Sequence, residues 1–282
     1  MKLLLIGHSI IDHFEEKGRF FTMPGGIFYS VTGILELKNN LDQIYLLTGW
    51  NEKSFHLFQK KYDYVDLTYS EEIIEMPEVV LVVNENDREE TYKNLSCNLN
   101  INKIDSWNIF DGILINMITG YDLTLEQMNV IRTKYNGLIY LDLHTLSRGV
   151  NSGLERVYRP VPNVKDWLKC IDVLQVNQFE LNTIFDDTNE IDKINKILHY
   201  GPKIILVTKG KRGATAYYEE NENLVTINLP AESVTVRNTI GCGDIFGSVF
   251  FYSYLRSKNV LDSLKLANNY AALFASKEEI IG

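Results

Sequence analysis

The sequence predicts an α/β protein, doubly wound, with a mainly parallel central sheet, helices on both faces and a small β lid. Three observations carry this. Short, continuously apolar runs recur along the 282 residues, as expected of parallel strands covered on both faces. Stretches with apolar residues at helical spacing alternate with those runs. Neither an internal repeat nor a Gly/Pro/Ser-rich linker divides the chain, so residues 1–282 read as a single domain, a length such folds reach.

Residues 3–6 open the chain as a buried strand, too short an apolar run for a membrane span or a signal-peptide core. Gly25-Gly26 then starts a helix over 27–37, in which Ile27, Val31, Ile34 and Leu35 share a face. Further apolar runs at 44–47, 79–83, 113–115, 138–141, 173–176 and 204–207 read as strands. Among the intervening helices, 125–135 begins with a capping box of Thr124 and Gln127, and 191–199 stops before Gly201-Pro202. Residues 214–218 and 224–229 form a hairpin, and helices over 244–257 and 261–276 close the chain. Two polar segments, 14–23 and 84–100, break this rhythm and are expected to be the lid.

A hydrophobic fraction of 45% suits a globular core, and the net charge of −9 argues against a nucleic-acid partner. The nearest basic cluster, Lys209-Gly210-Lys211-Arg212, is too short for a polyanion footprint. Cys97, Cys170 and Cys242 are unclustered, which predicts neither a disulfide framework nor a zinc site. A cytoplasmic protein without membrane contact is expected.

Chemistry concentrates in Asn238-Thr239-Ile240-Gly241-Cys242-Gly243-Asp244-Ile245-Phe246. Two glycines at the mouth of an apolar helix let backbone amides converge on one point, and the helix dipole adds to that field. Such a nest suits the charge on a transferred phosphoryl group, and Asp244 beside it could take a proton from an attacking hydroxyl. Alone, the same residues could be a tight turn with a helix cap.

The stretch resembles the D-T-x-G-A-G-D-x-F signature of the ribokinase (phosphofructokinase-B) family of carbohydrate and nucleoside kinases. Thr239, Gly241, Gly243, Asp244 and Phe246 match, while Asn238 and Cys242 replace Asp and Ala. The likeness continues along the chain in the family's order. It implies Asp244 as catalytic base and an anion hole of Gly241, Cys242 and Gly243. It assigns Asp12, Gly25, Gly26 and Ser30 to the substrate, with Ser30 where the family has Asn. It assigns Thr208, Gly210, Gly213 and Asn268 to the nucleotide, and Asn177 and Glu180 to a Mg²⁺ and phosphate network. Read without the family, Asn177 and Glu180 are a helix cap with its capping-box Glu.

Asp142, His144 and Arg148 follow the strand at 138–141, where the family often carries D-x-N-x-R. The arginine here stands two residues too far on. The resemblance thus implies an ATP- and Mg²⁺-dependent kinase of a small sugar or polyol, with a non-ribose sugar or cyclitol favoured by Ser30. A homodimer through the lid is possible in this family. The alternatives are a nucleoside or vitamin-precursor kinase of the same fold, or a non-catalytic relative that binds ligand.

Overall fold

A computed structural model describes residues 1–16, 19–83, 88–95 and 97–277. The first strands are Lys2–Ile6 (β1), Ser9–Glu16 (β2), Arg19–Gly26 (β3), Gln43–Leu47 (β4), Gly49–Trp50 (β5) and Glu71–Glu72 (β6). Glu78–Val83 (β7), Arg88–Asn94 (β8), Gly112–Asn116 (β9), Leu138–Asp142 (β10), Arg148–Val150 (β11) and Arg156–Tyr158 (β12) follow. Val173–Asn177 (β13), Ile204–Thr208 (β14), Ala214–Glu220 (β15) and Asn223–Leu229 (β16) complete them. The helices are Ile27–Leu35 (α1), Glu52–Tyr62 (α2), Leu125–Lys134 (α3) and Val164–Lys169 (α4), then Gln178–Leu181 (α5), Glu190–Tyr200 (α6), Cys242–Ser257 (α7) and Val260–Ser276 (α8).

The main sheet runs β16-β15-β14-β13-β10-β9-β1-β4. From β14 to β4 every neighbouring pair is parallel, and the β15–β16 hairpin adds an antiparallel edge. Both faces are covered, which is why the parallel strands are mostly apolar. In β1, Leu4 and Ile6 enter a core with Met128 of α3, Trp167 of α4 and Ile197 of α6. Leu3 and Leu5 enter the opposite core, with Phe58 of α2 and residues of α1, α7 and α8.

A second sheet, β3-β2-β7-β8, stands apart from the first. The apolar run at 79–83 belongs here and not to the main sheet. Val79 and Leu81 are buried while Val80 is half-exposed, the one-sided pattern of a strand covered on a single face. The polar segment 14–23 spans parts of β2 and β3, and the segment 84–100 contains β8, though residues 17–18, 84–87 and 96 lie outside the described residues. No helix among the described residues is long and apolar enough to cross a membrane.

Helix α7 lies against the sheet so closely that Gly247 has no room for a side chain. A Cβ there would stand 2.1 Å from the Tyr140 hydroxyl and 2.6 Å from Gln175 Oε1, both buried. Helix propensity alone makes Gly→Ala stabilising by about 1 kcal/mol. Overpacking of a filled site costs about 1–3 kcal/mol and opposes it. Gly247→Ala is therefore expected to lower the urea-denaturation midpoint; a raised midpoint would show that propensity wins.

Candidate active site

Because the parallel strands share one direction, their carboxyl ends form a single rim, where open α/β sheets bind ligands. Strand register sets three polar side chains side by side on it: Asn116 ends β9 opposite Asp142 of β10, which is opposite Gln175 of β13. Two residues earlier on the same face, Leu114, Tyr140 and Val173 pack in the core beneath α1 and α7. The polar row therefore faces the start of α7. Gln175 Nε2 donates to Asp142 Oδ2 at 2.7 Å and to the Gly243 carbonyl at 3.1 Å, while its oxygen accepts from the Tyr140 hydroxyl at 2.6 Å.

Gly241 is the N-cap of α7 in a left-handed conformation, φ +76. A Cβ at this position would lie 2.3 Å from the Tyr29 ring, so both the backbone and the space require glycine. Gly243 makes no such demand, since its surroundings leave room for a Cβ. The first amides of the helix lack intrahelical acceptors, and the Cys242 N–H reaches Thr239 O at a long 3.4 Å. The N-cap position itself is Gly241, which has no side chain to cap this end, so Asp244 does not stand at the N-cap. It sits in the first turn, 9% exposed, and accepts from Asn116 Nδ2 at 2.5 Å.

Asp12, Gly26, Gly241 and Asp244 line one narrow cleft of about 50 Å³. Gly25 backs it: a Cβ there would stand 2.1 Å from Asp12 Oδ2, so the carboxylate lies directly over the glycine. Gly26 (φ +67) turns the chain into α1 beneath the His8 carbonyl, 2.3 Å from where a Cβ would be. Ser30 is elsewhere. It is buried behind the cleft, 3.4 Å from Asn116 Nδ2.

The motif reading missed Glu90 and Arg156, which line the cleft with Tyr29 and His144, and Asn116, which holds Asp244 from behind it. His144 holds an uncommon positive φ of 37. Arg148, in contrast, does not line it. Its guanidinium donates to Glu90 at 3.0 Å and to the Tyr158 hydroxyl at 3.1 Å.

The remaining sequence candidates do not line the cleft. Thr208 ends β14, and Gly213 (φ +91) passes so close to Leu229 that a Cβ would sit 2.0 Å from its carbonyl. Gly210 (φ +55) has open surroundings. Asn268 Nδ2 donates to Pro230 O at 2.8 Å, tying α8 to the stretch that leads into Gly241. Lys209 is neither a solvated lysine nor aimed at this cleft; it pairs with Glu190 at 2.9 Å. Asn238 Oδ1 accepts from the Ile240 amide at 2.8 Å and shapes the turn before Gly241.

Asn177 and Glu180 do form the capping box of α5: Asn177 Oδ1 accepts from Phe179 N and Glu180 N, and Glu180 accepts from Asn177 N at 2.8 Å. Glu180 is nevertheless buried among acids. Burial pushes its carboxyl up to about 7, Asp244 and Glu90 add to the rise, and the Asn177 amide and Arg148 oppose it. Burial likewise holds Asp142 well above the carboxylate range, with Glu180 and Asp244 adding.

An acid whose pKa rises on folding contributes its stability below the unfolded value of 4.5, and loses it as pH rises through about 7. Glu180→Gln in the metal-free protein is expected to flatten the fall in Tm across that window while keeping the cap. An unchanged Tm-against-pH slope would count against a buried, titrating Glu180.

Residues 150–281 match the family model described as pfkB family carbohydrate kinase. A segment of the chain is 32% identical over 79 residues to the 5-dehydro-2-deoxygluconokinase of Clostridium beijerinckii, covering 28% of this chain and 22% of that protein. Another is 34% identical over 71 residues to the fructokinase of Rhizobium leguminosarum bv. trifolii, covering 25% and 20%. The matched segments thus span about a fifth of these relatives' length. A pyrophosphate-dependent kinase in the ribokinase family, complexed with a pyrophosphate analogue and myo-inositol, superposes with a TM-score of 0.77 at 16% identity, over 98% of this chain and 95% of that one. Arabidopsis thaliana ribokinase complexed with ribose and ATP gives 0.72 at 16% identity, over 99% and 93%. At such identities the likeness is one of fold. The chain has the ribokinase-like fold, and its residues 150–281 are similar to the pfkB family carbohydrate kinases.

Proposed function

We propose that this chain is a kinase transferring the γ-phosphate of ATP to a hydroxyl of a small sugar or sugar-like polyol. One observation carries the reading: Asp244, a buried carboxylate in the first turn of α7, faces the same cleft as Asp12, beside the left-handed Gly241 turn. Asp12 accepts hydrogen bonds from acceptor hydroxyls and orients them. Asp244 takes the proton of the attacking hydroxyl as its oxygen bonds to the γ-phosphorus and the bond to ADP breaks. The amides of Gly241, Cys242 and Gly243, at the positive end of α7, stabilise the phosphoryl charge. Thr208, Gly210, Gly213 and Asn268 form the nucleotide side.

The donor set fits Mg²⁺. Glu180 and Asp142 supply hard oxygens near Asp244, while the described residues form no cluster able to enclose a metal alone. Magnesium is commonly held in this way, by one or two carboxylates, waters and substrate phosphates. When bound it would neutralise phosphate charge, with Glu180 and Asn177 supporting its water shell.

A cleft of about 50 Å³ holds a few waters, against the roughly 300 Å³ or more of typical small-molecule sites. The β3-β2-β7-β8 sheet therefore acts as a lid that opens to admit the acceptor and closes to exclude water. Its β3 edge, with Phe20 and Phe21 exposed, is where a second copy would pair. A cytoplasmic location follows from ATP as donor.

ADP release across sugars, cyclitols and nucleosides, with pyrophosphate as the competing donor, tests this reading. Asp244→Asn is expected to lower kcat by about 10²–10⁴-fold while ATP still binds; near-normal turnover would remove Asp244 as base. Asn116→Ala, which releases the Asp244 carboxylate without altering its charge, is expected to lower kcat about 10–100-fold with a smaller change in KM. A change confined to KM would instead place Asn116 in acceptor binding.

A further inference from the structure

We propose that the acceptor is an uncharged polyol, and that a buried ion pair, Glu90–Arg156, excludes sugar acids and sugar phosphates by occupying the cleft's guanidinium. The inference rests on the kinase reading above and narrows its substrate class.

Arg156 and Glu90 both line the cleft, with side chains only 5% and 4% exposed. Arginine captures a carboxylate or phosphate by presenting two N–H groups in a fork. Here the fork is taken. Nη1 is bound to Glu90 Oε2, and Nη2 donates to the Tyr92 hydroxyl at 2.7 Å and to Ile118 O at 3.3 Å. The guanidinium lies 4.5 Å over the Tyr92 ring. Nε has no partner among the described residues, and one N–H suits a hydroxyl oxygen better than an anion.

The charges around the cleft agree. Among the described lining residues, Asp12, Glu90 and Asp244 face one guanidinium. Arg148 adds a second cation to Glu90 but points into the Tyr158 ring, 4.9 Å away, and does not line the cleft. An anionic acceptor would find the cleft's one described guanidinium already committed to Glu90. A neutral polyol meets several acceptors for its hydroxyls, and Ile10, Val79, Leu81 and Ile118 offer an apolar wall to its C–H face.

The test uses the full chain with Mg-ATP and matched acceptors: glucitol against gluconate, and fructose against fructose 6-phosphate, with myo-inositol as a cyclic neutral probe. ADP release and thermal shift are read for each. The neutral member of each pair is expected to have a kcat/KM at least about tenfold higher, since like-charge juxtaposition is strongly penalised. Glu90→Gln leaves Arg156 without its counter-charge and is expected to move the anionic-to-neutral ratio about tenfold towards the anion. Should loss of one partner of a buried pair prevent folding, Glu90→Gln/Arg156→Gln restores neutrality and is expected to keep the wild-type ratio. Equal or better turnover of the anionic member by the wild type would overturn the proposal, as would an unchanged ratio in folded Glu90→Gln. If no acceptor releases ADP while thermal shifts still rank neutral above anionic, the kinase reading fails and the charge preference stands. Absence of any shift overturns both.

Discussion

The side-chain amide of Gln175 joins the main sheet to the mouth of α7, and the geometry of the site depends on that junction. Its oxygen takes the Tyr140 hydroxyl, and its nitrogen reaches both Asp142 and the Gly243 carbonyl. Gln175, Tyr140 and Asp142 are buried, so a lost bond among them leaves a polar atom unsatisfied, a larger penalty than the net gain from making it. The junction also dictates sequence elsewhere. Gly247 has no side chain because Tyr140 and Gln175 occupy its space, and Gly241 has none because Tyr29 does. With both glycines in place the first turn of α7 settles over the strand ends, and Asp244 comes within reach of Asn116.

That closeness gathers negative charge. Asp142, Glu180 and Asp244 lie within one another's fields, and burial denies them water. Hydrogen bonds from Gln175 and from the Asn177 amide offset part of the cost, as does Arg148, whose guanidinium serves Glu90 and Glu180 together. Structural ion-pair networks also shift carboxyl pKa values, but those usually bring matched cations. Here the acids outnumber the described cations close to them, at the end of a helix whose dipole attracts anions. A cation and a phosphoryl group would relieve both imbalances.

Much of the fold was legible because buried parallel strands leave a direct signature, continuous apolar runs between helical periods. The run at 79–83 carried the same signature and belongs to another sheet, since composition does not say which faces a strand covers. The tight turn at Gly241 was foreshadowed by its motif, because only glycine tolerates that contact, whereas the Asp12–Gly25 approach appears only in the folded chain. Glu90 and Arg156 were not, and the reason is physical. They come from β8 and β12, elements far apart in sequence, and mean something only as a pair across space. Asn116 was hidden differently. A polar residue ending an apolar run looks like a strand terminus, and its register beside Asp142 and Gln175 appears only when the sheet is assembled. Ser30, matched to a substrate position, turned out to face Asn116 behind the cleft.

In the proposed reaction, acceptor recognition and phosphoryl chemistry would reside on different bodies. Asp12 and Glu90 belong to the second sheet, and the β11–β12 hairpin carrying Arg156 is stitched to it by Tyr92 N–H bonding Leu154 O at 3.0 Å. Asp244 and the Gly241 turn belong to α7, fixed on the main sheet. If the second sheet swings as proposed, the Glu90–Arg156 pair would travel with it and the proposed charge filter would stay intact in the open state, where an acceptor is first met. The proposed base, by contrast, would approach the hydroxyl only on closure. Selection before closure and chemistry after it would keep Asp244 from activating water against bound ATP. A cleft of about 50 Å³ suits that proposed division, since it leaves little room for water beside an acceptor.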